Sequence, residues 1–219
     1  MGSVSLQTRP RVLLADDHVL FADALSVYLE KSYTVVGVVS DGRDTVTEAV
    51  RLHPDLLIIN ISLPSLNGLD AARRIREQSR DTKFLFVTMR EDPILAAAAV
   101  LEFGSIGFVL KQSAGRELLK AINYVLKCKT YLSSRLRPAD RLELKFRAKQ
   151  YSNDLTARQR DVVQLIAEGK ALKEVANDLD LSLKTVEFHK RRVMNTFSLK
   201  NNSDLVLFAL KRRLIWADF

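Results

Sequence analysis

The sequence predicts an α/β domain built on an open, doubly wound parallel sheet, followed by a smaller all-α domain. Five short apolar runs alternate with helical patterns across residues 11–127. These runs are almost solidly apolar, as strands are when helices cover both faces of a sheet. After residue 152 the apolar residues recur only at helical spacing.

The strand and helix units of the first domain follow one another closely. The predicted strands are RVLLADD (11–17), YTVVGVVS (33–40), DLLIIN (55–60), KFLFVT (83–88) and IGFVL (106–110). The predicted helices cover residues 20–30, 44–52, 68–79, 93–103 and 114–127. Pro93 stands in the first turn of the fourth helix, where proline is tolerated. Five such units predict a five-stranded sheet in the flavodoxin-like order.

Polar residues stand where the predicted strands end. They are Asp16 and Asp17 after the first strand, Asn60 on the third, Thr88 on the fourth and Lys111 after the fifth. Ligand sites in such sheets lie beyond the carboxyl ends of the strands, where the strand order reverses between the first and third. Two acids, an amide, a hydroxyl and an ammonium on one rim suit a hard cation and a phosphoryl group. The alternative is that the two acids only cap the next helix.

The positive charge is concentrated in the second domain. The chain carries a net charge of +8, but residues 1–130 hold 16 Lys and Arg against 15 Asp and Glu. Residues 131–219 hold 18 against 11. Such an asymmetry favours a C-terminal part that binds a polyanion, with a solvated basic surface as the alternative.

Composition excludes several classes of protein. No apolar run is long enough to cross a bilayer, and the N-terminal stretch MGSVSLQTRP lacks the apolar core of a secretion signal. A single cysteine, Cys128, rules out an internal disulfide. We therefore expect a cytoplasmic protein without a membrane partner.

The second domain is predicted to hold four helices. They are LTARQRDVVQLIAEGK (155–170), LKEVANDL (172–179), LKTVEFHKRRVMNTF (183–197) and SDLVLFALKRRL, which begins on Ser203. Thr156 and Gln159 fit a capping box, and Ser182 fits the cap of the third helix. A short helix, a tight turn and a basic helix predict helix-turn-helix geometry. Four residues of the third helix are predicted to face the core, namely Leu183, Val186, Val193 and Met194.

Domain boundaries follow from these patterns. The first domain is predicted at residues 10–127 and the helical domain at residues 153–219. The segment between them, residues 128–152, is charged, weakly patterned and contains Pro138, so it is predicted to be a linker with some helix after the proline.

The first domain resembles the receiver domain of bacterial two-component response regulators. The segments LLADDH, NISLPSLNG, VTMR and GFVLKQSA carry the resemblance, which covers residues 10–127. It implies a Mg²⁺ site in which Asp17 coordinates directly and Asp16 largely through water. Ser62 would add its backbone carbonyl to this site.

The resemblance also assigns the parts of a phosphoryl switch. Thr88 would be the switch hydroxyl, Phe108 the switch aromatic and Lys111 the phosphoryl-binding ammonium. A signal would act through these residues on the face made by the fourth helix, fifth strand and fifth helix. The phosphoacceptor of the family is an aspartate, and its match here is Asn60. An amide cannot form an acyl phosphate, and it should hold Mg²⁺ more weakly because the site loses one charged ligand.

Two explanations of Asn60 remain open. One is an engineered replacement of aspartate that keeps the chain in its inactive state. The other is a naturally atypical receiver that signals without phosphate. Retention of the other rim residues favours the first explanation. A sensor histidine kinase is an expected partner if the native residue at this position is aspartate.

The helical domain resembles the LuxR-type DNA-binding domain over residues 155–197, so the whole chain resembles a NarL/FixJ-type response regulator. The resemblance places base-edge contacts at Glu187, Phe188 and Arg191. It places phosphate contacts at Lys184, Thr185, Lys190 and Arg192. Glu187 departs from the family, in which a basic or amide residue is common there. Double-stranded promoter DNA is the expected partner, bound by a homodimer when the protein is active.

Two other functions are alternatives to a DNA-binding transcriptional regulator. A small phosphatase-like enzyme could use Asp16 or Asp17 as nucleophile, but such folds usually space their acids as Asp-x-Asp, so no catalytic residue is predicted. A protein-binding adaptor would not need the basic third helix. A generic phosphatase substrate and a gel shift with genomic DNA would discriminate among the three.

Overall fold

A computed structural model describes residues 9–136 and 155–216. Most of the predicted linker, including the helix expected after Pro138, lies outside these ranges. Within the two described ranges, no helix combines the length and apolar character that a membrane span requires.

The first domain is an open sheet of parallel strands with helices on both faces. Its strands are β1 (Arg11–Ala15), β2 (Thr34–Val39), β3 (Leu56–Asn60), β4 (Lys83–Thr88), β5 (Gly107–Leu110) and β6 (Tyr131–Leu132). Its helices are α1 (Val19–Leu29), α2 (Gly42–Leu52), α3 (Gly68–Gln78), α4 (Pro93–Phe103) and α5 (Ala114–Leu126). The strand order is β2-β1-β3-β4-β5-β6, which confirms the doubly wound α/β fold.

The sheet has one strand more than the five predicted. Tyr131 and Leu132 form β6, which pairs in parallel with Gly107 and Phe108 of β5. This strand falls in the segment predicted to be a linker. It was missed because two residues are too short to show a strand pattern.

The strand order places the reversal point between β1 and β3, which are direct neighbours. Successive residues of these strands alternate between two apolar layers. Leu13 and Ile59 belong to the layer that includes residues of α2, α3 and α4. Leu14 and Ile58 belong to the layer that includes residues of α1 and α5. Both layers hold the sheet rigid, so the loops beyond the carboxyl ends of β1 and β3 are fixed side by side.

The second domain contains the four predicted helices, α6 (Ala157–Ala167), α7 (Leu172–Asp178), α8 (Leu183–Thr196) and α9 (Asn202–Lys211). The capping box is present: Thr156 N–H donates to Gln159 Oε1 at 2.9 Å, and Gln159 N–H donates to Thr156 Oγ1 at 3.3 Å. Ser182 Oγ accepts from Thr185 N–H at 3.1 Å and so caps α8.

Two details of the helical prediction were wrong. The last helix is capped by Asn201, whose Oδ1 accepts from Asp204 N–H at 2.9 Å, so the helix starts before Ser203. Leu183 is 37% exposed, whereas Val186 and Val193 are fully buried. Leu183, the first residue of α8, therefore lies at the edge of the helical core, which covers the helix from Val186 onwards on that face.

Candidate functional site

The loops that follow β1 and β3 meet at one rim of the sheet. Asn60, the last residue of β3, is 3% exposed. Its Nδ2 donates to Asp17 Oδ1 at 2.8 Å and to the carbonyl oxygen of Ser62 at 3.4 Å. Its Oδ1 accepts from Ser62 N–H at 3.4 Å. The amide thus connects the acidic loop to the loop that leads into α3.

A buried ion pair completes this rim. Lys111 Nζ donates to Asp16 Oδ1 at 2.8 Å, and the two residues are 8% and 4% exposed. The ammonium also lies 4.9 Å from the centre of the Phe21 ring. The backbone N–H of His18 donates to the same oxygen of Asp16 at 3.0 Å. Buried charges persist only when they are paired in this way.

The two switch candidates lie at different depths. Thr88 ends β4, the strand beside β3, and its Oγ1 accepts from Arg90 N–H at 3.2 Å. Phe108 lies in β5 with no exposed surface, and its ring centre is 5.8 Å from that of Phe86. The hydroxyl is therefore at the rim, whereas the aromatic ring is packed inside the core.

The oxygen atoms at this rim meet part of what a divalent cation needs from its ligands. Asp16 Oδ2 is buried and has no hydrogen-bond partner among the described residues. Asp16, Asp17 and His18 offer ligand atoms within 4.8 Å of one another. The amide of Asn60 competes with a cation, because its N–H groups already occupy Asp17 Oδ1 and the Ser62 carbonyl. The rim suits Mg²⁺, but less well than it would with a third carboxylate.

The basic helix α8 presents most of its candidate DNA contacts to solvent. The exposed members are Lys184, Glu187, Phe188, Arg191 and Arg192, and the half-buried ones are Thr185 and Lys190. Phe188 is 56% exposed, which is unusual for a large apolar side chain on a structured helix. Within the described ranges, no hydrogen bond or ion pair joins α8 to the receiver. The exposed cations of this helix, Lys184, Arg191 and Arg192, carry the charge that suits a polyanion.

The two domains dock through α6, a contact that the sequence analysis missed. Arg74 on α3 donates to both carboxylate oxygens of Asp161 on α6, at 2.5 and 2.6 Å. Arg160 Nε donates to Asp70 Oδ1 at 2.7 Å. Asp161 is 2% exposed. In the local sequence, this docking surface is indicated only by the polar residues that interrupt the apolar pattern of α6.

A second docking contact lies at the far end of the helical domain. Arg213 pairs with Asp92, which also caps α4 by accepting from Leu95 N–H at 3.0 Å. Trp216 packs against the apolar layer of the receiver that contains α4 residues. The helical domain therefore touches both α3 and the loop after β4.

Asp70 is a second buried carboxylate of the docking surface, 4% exposed. Burial alone would raise the pKa of its carboxyl group, but Arg73 and Arg160, with hydrogen bonds from Asn67 and Arg73, lower that pKa below its ordinary value. Arg73 also pairs with Glu102 on α4 at 2.5 Å. The carboxylate is therefore held ionised where α3, α4 and α6 approach one another.

Comparison with known proteins gives the same two domains. A family model described as the response regulator receiver domain matches residues 12–123. One described as bacterial regulatory proteins of the luxR family matches residues 153–209. The oxygen regulatory protein NreC of Staphylococcus haemolyticus is 32% identical over 217 residues, which cover 94% of this chain and 99% of that protein. NreC of Staphylococcus carnosus is also 32% identical, over 215 residues.

Solved structures of RcsB share the fold. RcsB of Salmonella enterica serovar Typhimurium, bound to the promoter rprA in the presence of the phosphomimetic BeF3-, aligns with a TM-score of 0.57 and 27% identity. That alignment covers 91% of this chain and 98% of RcsB. Another RcsB structure, from Salmonella typhimurium, aligns with a TM-score of 0.62 and 24% identity, covering 94% and 99%.

Proposed function

Because the chain belongs to the NarL/FixJ-type two-component response regulators, with a receiver domain and a LuxR-family DNA-binding domain, we propose that it regulates transcription by binding promoter DNA through α8. Its receiver controls dimerisation and DNA binding but does not accept a phosphoryl group at Asn60. The single observation that carries this proposal is the meeting of Asn60, Asp17 and the Lys111–Asp16 pair at the rim between β1 and β3.

The rim residues have distinct proposed roles in binding a cation. Asp16, Asp17, the backbone carbonyl of Ser62 and the side-chain oxygen of Asn60 would hold Mg²⁺. The cation, when bound, supplies the positive charge that offsets the carboxylates around a phosphoryl group. The unpartnered Oδ2 of Asp16 supports this role. Asn60 weakens the site, because its amide brings no charge and has to release Asp17 to present its oxygen.

The switch residues keep the roles that the family resemblance implies. Lys111 would bind the phosphoryl group, and Thr88 and Phe108 would move with it. In a chain without a phosphoacceptor, Lys111 stays paired with Asp16 at 2.8 Å. With Asn60 in place the chain therefore remains in its resting state, and a sensor histidine kinase is a partner only of a chain with aspartate at this position.

The origin of Asn60 has two readings. Asp16, Asp17, Thr88 and Lys111 are all retained around it, which supports an engineered inactive-state mimic over a naturally atypical receiver. The sequence of the native gene at this codon distinguishes the two, and the proposed chemistry of the present chain is the same in both.

DNA is the proposed partner of the helical domain. Glu187, Phe188 and Arg191 would contact base edges, as their exposure allows. The proposed phosphate contacts are Lys184, Thr185, Lys190 and Arg192. The RcsB structure on the promoter rprA supports DNA as the ligand of this domain type. A homodimer is the proposed active form, and the cytoplasm, where the chromosome lies, is the proposed location.

The proposed domain boundaries are those of the sequence analysis, with the receiver at residues 10–127, the linker at 128–152 and the DNA-binding domain at 153–219. The family matches at 12–123 and 153–209 support them. Strand β6 extends the sheet of the receiver into the first residues of the linker.

Phosphodonor labelling tests the receiver part of this proposal. The purified chain is incubated with Mg²⁺ and acetyl phosphate, and intact-mass spectrometry measures the phosphoryl gain. We expect no gain for the chain as it stands and a gain of one phosphoryl group for Asn60→Asp. Stoichiometric labelling of the unaltered chain at Asn60 would contradict the proposal.

A further inference from the structure

The loop that leaves position 60 is tightly connected to the Asn60 side chain at its start. Both side-chain atoms of Asn60 contact the backbone of Ser62, at 3.4 Å each. The loop then returns to its own first residue, because Gly68 N–H donates to the carbonyl oxygen of Ile61 at 2.9 Å. A β-carbon at Gly68 would lie 2.2 Å from the carbonyl oxygen of Asn60. A change at position 60 therefore has little room to be absorbed before it reaches Asn67.

The far side of the same loop is held by one glutamine of the DNA-binding domain. Gln164 on α6 is 1% exposed. Its Oε1 accepts from Asn67 N–H at 3.1 Å and from Asn67 Nδ2 at 3.3 Å. Its Nε2 donates to the carbonyl oxygen of Leu63 at 3.4 Å. One side chain thus binds both ends of the loop segment 63–67.

Neighbouring contacts strengthen this link. Glu168, one turn after Gln164, accepts from Ser65 N–H at 3.3 Å and from Gln164 Nε2 at 2.8 Å. Ser65 has a positive φ of 63°, a conformation that few non-glycine residues adopt without support from surrounding contacts. The loop conformation and the docking of α6 are therefore mutually dependent.

The surface expected to carry the signal is less directly connected. For the described part of the chain, the hydrogen bonds and ion pairs of α5 stay within the receiver. Contacts from the DNA-binding domain reach the loop after β3 through Gln164 and the loop after β4 through Arg213. Of these, only the loop after β3 begins at position 60 itself.

From these contacts we propose that loop 61–67 transmits the state of position 60 to the DNA-binding domain, with Gln164 as the positioning residue that receives it. A group bound at position 60 would displace Ser62 and, through the short loop, the Asn67 N–H that Gln164 holds. The DNA-binding domain would then undock from α3. This inference rests on the proposed function, since it names the route by which the same receiver site acts.

Two signals report docking in the full chain. The N–H groups of Ser65 and Asn67 exchange with solvent deuterium only when their bonds to α6 open. Trp216, the only tryptophan, changes its emission when it leaves the receiver. Gln164→Ala should speed exchange in residues 61–67 at least about fivefold, because it removes all three hydrogen bonds from Gln164 to this loop, and it should shift Trp216 emission to the red. Gln112→Ala, on the exposed surface of the receiver, is the matched control and should leave both signals unchanged.

The decisive comparison uses Asn60→Asp with Mg²⁺ and beryllofluoride as the probe of position 60. Beryllofluoride should speed exchange in residues 61–67 and shift Trp216 emission. Because coupling between two sites is reciprocal, Gln164→Ala in that chain should tighten beryllofluoride binding, by no more than the factor by which it weakens docking. If docking and position 60 were not coupled, Gln164→Ala would speed exchange without changing this affinity. Arg74→Ala, which opens the same interface from the receiver side, replaces Gln164→Ala if the latter does not fold.

The outcomes separate this inference from the proposed function. If beryllofluoride binds and the protein binds DNA, but beryllofluoride affinity is the same with and without Gln164, the coupling route is wrong and the regulator stands. If beryllofluoride does not bind Asn60→Asp, the receiver switch is wrong and the route falls with it.

Discussion

Asn60 Nδ2 lies 2.8 Å from Asp17 Oδ1 and donates a hydrogen bond to it. This bond joins the loop after β1 directly to the end of β3. An aspartate at the same position would bring two carboxylates together and supply no N–H donor. The amide therefore gives Asp17 a hydrogen-bond partner within the protein, which a carboxylate at this position could not supply.

Replacement of this amide should make stability depend on Mg²⁺. We expect Asn60→Asp to lower the free energy of unfolding by about 1–2 kcal/mol without Mg²⁺, because a hydrogen bond is lost and two carboxylates repel. Millimolar Mg²⁺ should restore most of that loss, and it should affect the unaltered chain little. Urea unfolding with and without Mg²⁺ measures both effects. Asn123→Asp, at an exposed position of α5, is the control. An equal loss of stability in both variants would contradict this explanation.

The lowered pKa of Asp70 predicts how stability depends on pH. Its folded-state pKa lies below the ordinary value of 3.8, so its contribution is complete above that value and is lost as the pH falls through the folded-state pKa. Asp70→Asn should cost about 3 kcal/mol at neutral pH, because Arg73 and Arg160 lose a buried partner. The stability of the variant should also fall less steeply below about pH 4. Thermal unfolding across pH 2.5 to 7 measures this; parallel curves for the two chains would count against the assignment.

Exchange of the charges at the docking surface should break and then restore docking. Arg74→Asp or Asp161→Arg alone places like charges together in a buried contact that now holds bonds of 2.5 and 2.6 Å. Each single variant should raise the radius of gyration in small-angle X-ray scattering and shift Trp216 emission to the red. The double variant should return both values towards those of the unaltered chain. A double variant as open as the singles would show that this pair does not hold the domains together.

Helix α8 should make two kinds of contact with DNA. Arg191→Ala should relax sequence preference, since a bidentate contact to guanine gives about 1–3 kcal/mol of discrimination. Lys184→Ala should weaken binding to all DNA and reduce the slope of log affinity against log salt by about 0.9. Footprints and titrations at several salt concentrations distinguish these effects. Unchanged specificity in Arg191→Ala would remove that residue from base readout.

Local sequence patterns were sufficient for most of the fold. Strand β4 at Lys83–Thr88 and helix α4 at Pro93–Phe103 lie where the apolar run and the proline predicted them. Strand β1 ends at Ala15 rather than at Asp17. The chain turns there because Asp16 Oδ1 accepts from His18 N–H at 3.0 Å, and that bond is not visible in the apolar pattern.

The docking surface could not be predicted in the same way. Arg74 and Asp161 are 87 residues apart, and Asn67 and Gln164 are 97 apart. Their contacts depend on how the two domains approach each other, which no helical or strand periodicity encodes. Convergence of Asp17 and Asn60 was predictable, because strand order alone brings those two positions to one edge.

Affinity for DNA with and without acetyl phosphate shows whether the residue at position 60 controls the basic helix. The unaltered chain and the Asn60→Asp variant are each titrated against the same promoter fragment, in the presence of Mg²⁺ and at one salt concentration. We expect acetyl phosphate to raise the affinity of Asn60→Asp at least several-fold and to leave that of the unaltered chain unchanged. An equal response of the two chains, or no response in a labelled Asn60→Asp, would contradict this expectation.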